Sequence, residues 1–138
     1  MMRSAVLSIT DRSITKKLVS GTRAGRAVAQ RFVAGDTLEE AVEATKGLNA
    51  QGMPVSLDHL GEHVNAIEEA EAATASYLAC LDAIREHDLD ANISVKLTQL
   101  GMGLDDVRAA TNLERLAVAA GTMGTTVTVD MEESAYTE

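Results

Sequence analysis

The sequence is poor in aromatic residues: it has no tryptophan, and Phe32, Tyr77 and Tyr136 are the only rings of that class among 138 residues. Any core must therefore be aliphatic, built from Leu, Val, Ile, Met and Ala. Cysteine is equally scarce. Cys80 stands alone, which excludes an intramolecular disulfide and a thiolate zinc site, so nothing calls for an oxidising compartment and the cytoplasm is expected. Long apolar runs are missing too: residues 5–9 (AVLSI) are too brief for a secretory signal core, and no stretch is suited to span a membrane. Bases are few, 12 against 21 acids, and a net charge of −9 argues against nucleic acid as a partner. What is present, 46% hydrophobic residues in one domain-sized chain, excludes intrinsic disorder.

The charge is segregated along the chain. Residues 1–34 hold Arg3, Arg12, Lys16, Lys17, Arg23, Arg26 and Arg31 against Asp11, a net +6, whereas the remainder sums to −15. Leu18, Val19, Val28 and Phe32 give this segment a loose apolar stripe, so 1–34 is expected to be a basic helical arm lying on an acidic body. A transit peptide, or electrostatic docking on a membrane or partner, is the competing reading.

From Gly35 onward helices and strands alternate. Thr37 and Glu40 form a capping-box pattern before a helix at 38–50, with Gly52 placed to end it. Residues 55–58 (VSLD) read as a strand. Ile67, Ala70, Thr74, Tyr77, Leu78, Leu81 and Ile84 fall at helical spacing over 66–86, behind Asn65 as a cap. A second strand is predicted at 92–97, a third helix over Asp105–Ala120, and a third strand at 126–131.

Polar residues at the strand ends recur 38 residues apart, Asp58 to Lys96, and then 34 apart, Lys96 to Asp130. Such spacing suits βαβ units, whose right-handed crossovers make the strands parallel. Alternation separates barrel from open sheet. Val55, Leu57, Ile93, Val95, Leu97, Val127 and Val129 point toward covering helices, while Ser56, Asp58, Asn92, Ser94, Lys96, Thr126, Thr128 and Asp130 face the other way. A doubly wound sheet has both faces covered and reads as continuous apolar runs, so this one-sided pattern favours a (β/α)₈ barrel. The fold class is thus α/β, with the first three parallel strands of a partial barrel, preceded by N-terminal helices. Barrel sites lie at the C-terminal strand ends, where Asp58, Lys96 and Asp130 should converge. A lysine between Val95 and Leu97 needs an anion: Asp58 or Asp130 across the barrel, or a substrate carboxylate. Asp130 is either an orienting group for a cationic ligand or a partner of Lys96, and Asp58 is read as holding strands and loops in place.

Other motifs are weaker. His59-Leu60-Gly61-Glu62-His63 matches an inverted zinc-protease signature, but that motif needs a continuous helix, and here it follows a strand and contains Gly61. No metal site is therefore expected. Asn92-Ile93-Ser94 fits a glycosylation acceptor but falls in an interior strand. The pairs Gly21/Gly25 and Gly101/Gly103 read as turns, Cys80 as packing, and His87 as a favourable charge at a helix C-terminus.

Three segments carry a family resemblance: residues 52–62 (GMPVSLDHLGE), 92–101 (NISVKLTQLG) and 129–137 (VDMEESAYT). In this order and at these separations they resemble the first strands of monofunctional bacterial proline dehydrogenase, over most of residues 31–138, so that 35–138 corresponds to the N-terminal part of the barrel. The resemblance implies FAD-dependent oxidation of L-proline to Δ1-pyrroline-5-carboxylate, by hydride transfer from proline C5 to flavin N5, with electrons passed to a quinone. It implies that Lys96 helps neutralise the substrate carboxylate, that Asp130 is the active-site aspartate, and that the Met131 backbone lies against the flavin. It also implies cytoplasmic residence with peripheral attachment to the inner membrane.

The family's later strands, with their paired arginines, substrate-covering tyrosine and most of the FAD surface, have no counterpart in these residues, and the open sheet edge favours homo-oligomerisation. The chain is accordingly expected not to oxidise proline by itself. Two alternatives stand beside this reading: a non-catalytic α/β module for binding or assembly, and a zinc hydrolase using His59, Glu62 and His63. Spectrophotometry of the purified chain should show neither stoichiometric flavin nor proline-dependent bleaching; observing both would overturn the expectation.

Overall fold

A computed structural model describes residues 34–61 and 64–130. All but the last residue of the basic arm expected at 1–34, together with Glu62, His63 and Met131, lie outside the described residues. Contacts divide the chain into a unit at 1–40 and a unit at 41–138.

The elements follow the expected alternation: α1 (Leu38–Asn49), β1 (Val55–Asp58), α2 (Ile67–Glu86), β2 (Ala91–Val95), α3 (Asp106–Thr122) and β3 (Val127–Val129). Each helix start satisfies its free backbone N–H groups differently. At α1 the Glu40 N–H donates to Thr37 Oγ1 at 3.3 Å, while the Glu40 carboxylate accepts from the Asp36 N–H at 2.8 Å, one residue upstream of the usual box. At α3 the Asp105 side chain accepts from the Arg108 N–H, as a carboxylate cap should. The expected Asn65 cap on α2 is corrected. Ala66 occupies the cap position with no side-chain bond, and the Glu69 carboxylate instead reaches back to the Asn65 N–H at 2.7 Å. At the end of α1, Gly52 adopts φ 76°, which lets the Met53 N–H return to the Leu48 carbonyl at 3.1 Å.

The three strands form one parallel sheet in the order β1-β2-β3. Ser56 pairs with Asn92, Asp58 with Ser94, and Ser94 with Thr128, so the polar positions of all three strands share one face. The opposite face carries Leu57, Ile93 and Val95, all buried, against α2 and α3. The second strand is shorter than predicted. It ends at Val95 because the Lys96 and Leu97 carbonyls accept turn bonds from Gln99 and Leu100, and Gly101 and Gly103 continue that turn. β3 also departs from expectation, since Val129 is 44% exposed rather than covered: it lies in an edge strand with a neighbour on one side only.

Tyr77, Leu81, Leu100 and Leu116 are fully buried in the core, and Ala70, Ala73, Ala109 and Ala120 are the small residues of the same helices. Asn112, a fully buried amide, donates from Nδ2 to the Leu100 carbonyl at 3.1 Å. Arg115 bonds Asn112 Oδ1 at 3.0 Å and Glu71 Oε2 at 2.8 Å, and Arg108 approaches Glu71 Oε1 at 3.6 Å, so α2 and α3 are also joined by charge at the surface. At the start of the sheet, Asn49 both donates to the Asp90 carbonyl and accepts from its N–H, and the Thr125 hydroxyl donates to the Ala91 carbonyl.

Replacing Asn112 with Ala strands a buried carbonyl and should lower stability by about 1–3 kcal/mol in urea unfolding. Arg115→Ala, which removes a half-exposed ion pair together with the donor to the buried Asn112 Oδ1, should cost about 1–3 kcal/mol in the same measurement.

Candidate active site

The polar face of the sheet is graded along its length. Near the strand starts, Asn92 donates from Nδ2 to Thr126 Oγ1 at 3.2 Å and to Thr128 Oγ1 at 2.9 Å, an amide and hydroxyl ladder across β2 and β3. This commits the amide of the glycosylation-like triplet to the sheet. Toward the C-terminal strand ends the groups become ionic. Ser94 donates its hydroxyl to Asp130 Oδ1 at 2.8 Å, and the Asp130 N–H continues the strand pairing by donating to the Val95 carbonyl at 2.9 Å. Lys96 Nζ lies 3.4 Å from Asp58 Oδ2, with the two side chains 20% and 32% exposed.

Thus Asp58 and Lys96 meet directly, while Asp130 holds the serine two residues before Lys96 on the same strand. Of the two partners considered for Lys96, Asp58 is the one in contact. A separation of 3.4 Å is longer than the ~2.7–2.9 Å of a tight charge-assisted bond, so Asp58 holds the ammonium loosely. The site lies at the end of the strands where barrel enzymes place their chemistry. An open concavity of about 460 Å³ lies at the other end, lined by Pro54, Ser56, Asp90, Asn92 and Thr126 among others, and none of Asp58, Lys96 and Asp130 lines it.

Beneath Asp58 is a second layer. The hydroxyl of Tyr77, a fully buried side chain on α2, lies 3.1 Å from Asp58 Oδ1, 3.0 Å from Gln99 Oε1 and 3.4 Å from the His59 carbonyl. Gln99, also buried, donates from Nε2 to the same His59 carbonyl at 3.1 Å, which fixes which way its amide faces. The His59 ring meets Tyr77 edge-on, centroids 5.9 Å apart. Burial first, and then the charge of Asp58, pushes the Tyr77 phenol well above its ordinary range, so it is a permanent donor. Burial likewise raises the Cys80 thiol, which disfavours the thiolate a nucleophile requires.

The sequence profile of the family described as "Proline dehydrogenase" matches residues 41–138. The chain belongs to the proline dehydrogenase family. It is 36% identical to proline dehydrogenase 1 of Bacillus subtilis subsp. natto over 140 residues, covering 100% of this chain and 45% of that protein. Proline dehydrogenase 2 of Bacillus subtilis strain 168 is 31% identical over 108 residues, 78% of this chain and 36% of the relative. The proline dehydrogenase of Deinococcus radiodurans is 27% identical over 136 residues, 96% and 43%. The chain therefore spans about half the length of the curated relatives it matches.

Within this family member, Tyr77 and Gln99 are the site residues that sequence reasoning missed. Tyr77 fits the apolar stripe of its helix so well that its hydroxyl drew no attention; the available signal was that a phenol on a buried face needs a partner. The histidine-rich segment is likewise clarified at its first half. Residues 59–61 are not helical and α2 begins only at Ile67, so His59 follows β1 in a loop. Gly61 has a steric role there: a Cβ at this position would stand 2.5 Å from Gln99 Nε2.

Gly61→Ala should displace the Gln99 amide and lower stability by about 1–3 kcal/mol in chemical unfolding. In a Gln99→Ala background the same substitution should cost far less, because the obstructing amide is gone; additive losses would exclude this contact as the cause.

Proposed function

We propose that residues 35–138 supply the first three βα units of a flavin-dependent (β/α)₈ barrel that oxidises L-proline to Δ1-pyrroline-5-carboxylate. The observation that carries this reading is Lys96, an ammonium 3.4 Å from Asp58 at the C-terminal end of a parallel strand, in a chain of the proline dehydrogenase family.

Proline is a zwitterion, and the site offers both signs of charge. Lys96 would take the carboxylate, an attraction of about 4 kcal/mol at 4 Å in an effective dielectric near 20, before desolvation is subtracted. Asp130, oriented by the Ser94 hydroxyl, would face the cationic end of the substrate. Neither residue acts as a nucleophile. Both fix the ring so that C5 points in one direction, and orientation is the protein's share of cofactor chemistry.

The donor set also suits one wall of a flavin site. A planar heterocycle with hydrogen-bonding edges matches a sheet face of hydroxyls and amides, Ser56, Asn92, Ser94 and Thr128, better than it would match an aliphatic one. When bound, FAD supplies the two-electron acceptor. The backbone at Met131, directly after Asp130, is proposed to lie along it. Residues 1–34 are proposed as a basic arm, and a membrane quinone as the final acceptor, with the protein peripheral to the inner membrane on its cytoplasmic side. Among the described residues no helix is long and apolar enough to cross a membrane.

The test is a calorimetric titration with L-proline in the presence of FAD. Lys96→Met should weaken binding by roughly 10²-fold, about 3 kcal/mol; unchanged affinity would exclude Lys96 as the carboxylate partner.

A further inference from the structure

Three acceptors converge on one phenolic proton. Asp58 Oδ1, Gln99 Oε1 and the His59 carbonyl all lie within 3.4 Å of the Tyr77 oxygen, which carries a single hydrogen. Gln99 cannot turn its amide to offer a second hydrogen there, because its Nε2 is committed to the His59 carbonyl. The competition is decided by charge: Asp58 is the ionic acceptor, and hydrogen bonds to ionised groups are roughly twice as strong as neutral ones.

Asp58 is thereby divided between two directions. Its Oδ1 is held from inside the core by Tyr77, and its Oδ2 faces Lys96. A carboxylate anchored on one oxygen by a fully buried group cannot swing freely toward solvent or close fully on the ammonium. This accounts for a pair that is in contact yet longer than a tight ion pair.

We propose that Tyr77 is a positioning residue which, through Asp58, holds the Lys96 ammonium in place for an incoming carboxylate. As far as the carboxylate is that of L-proline, this rests on the function proposed above. The relay from Tyr77 to Lys96 stands on its own geometry and is tested separately.

The first measurement uses the whole 138-residue chain without ligand. The two ε-methylene protons of a restrained lysine have distinct NMR shifts, and those of a freely rotating one coincide. Lys96 should show two shifts in the parent chain and a collapsed or much narrower pair in Tyr77→Phe. Asp58→Asn, at a half-exposed position, should do the same and serves if Tyr77→Phe does not fold. Unchanged ε-methylene shifts in a folded variant would overturn the relay, whatever the protein binds.

The second measurement is a double-mutant cycle on L-proline affinity. Tyr77→Phe should weaken binding about three- to tenfold when Lys96 is present and have no further effect in a Lys96→Met background. Equal losses in both backgrounds would show a general structural role and overturn the proposal. If the parent chain, which covers 45% of its relative, shows no proline affinity with FAD present, the ε-methylene result alone decides the relay.

Discussion

The parity of the three strands is the constraint on which the site depends. Parallel pairing sets Ser56 against Asn92 and Asp58 against Ser94, then Ser94 against Thr128. Because side chains alternate, a slip of one residue in any strand would turn its polar set into the packed face. The register is held at its start by Asn49 clasping both backbone groups of Asp90 and by the Thr125 hydroxyl on the Ala91 carbonyl. Those polar contacts lie at the opposite end from the ionic groups. Structural precision is thus set at one end of the sheet and used at the other.

The chemistry follows from a division of labour between two layers. Lys96, Asp58 and Asp130 are partly accessible and ionic, while Tyr77 and Gln99 beneath them are buried and neutral. A charged group near a surface keeps its hydration only if it can move, and a group that must meet a substrate in one orientation cannot be allowed to move. Anchoring Asp58 from the core reconciles the two, because the restraint is applied by a neutral donor that does not itself need solvent.

Much of this was legible in the sequence, for reasons that differ by element. The helices and strands announced themselves through period, and the 38- and 34-residue spacings carried the parallel topology because a crossover helix has a minimum length. Lys96 stood out because charge between Val95 and Leu97 is a contradiction that burial must resolve. The strand end at Val95 was not legible, since the turn that follows is made by backbone bonds that any residue could form. Asn65 failed as a cap for another reason: Ala66 takes the cap position, and the Asn65 N–H is itself a donor, to the Glu69 carboxylate four residues on. The Tyr77 and Gln99 layer depends on which loop reaches which helix face, and no local pattern encodes that. Gly61 read as a helix breaker, although its purpose is to make room for a neighbour's amide.

Asn112 has a consequence beyond its own hydrogen bond. An aliphatic interface of alanines and leucines is smooth, and helices of this composition can settle in several neighbouring alignments at similar energy. A single amide matched to the Leu100 carbonyl removes that degeneracy, because displacing α3 by one turn, about 5.4 Å, would desolvate both groups with no substitute partner. The Leu100 carbonyl belongs to the same turn as Lys96 and Gln99. The amide that indexes the outer helix therefore also indexes the loop from which the ammonium projects.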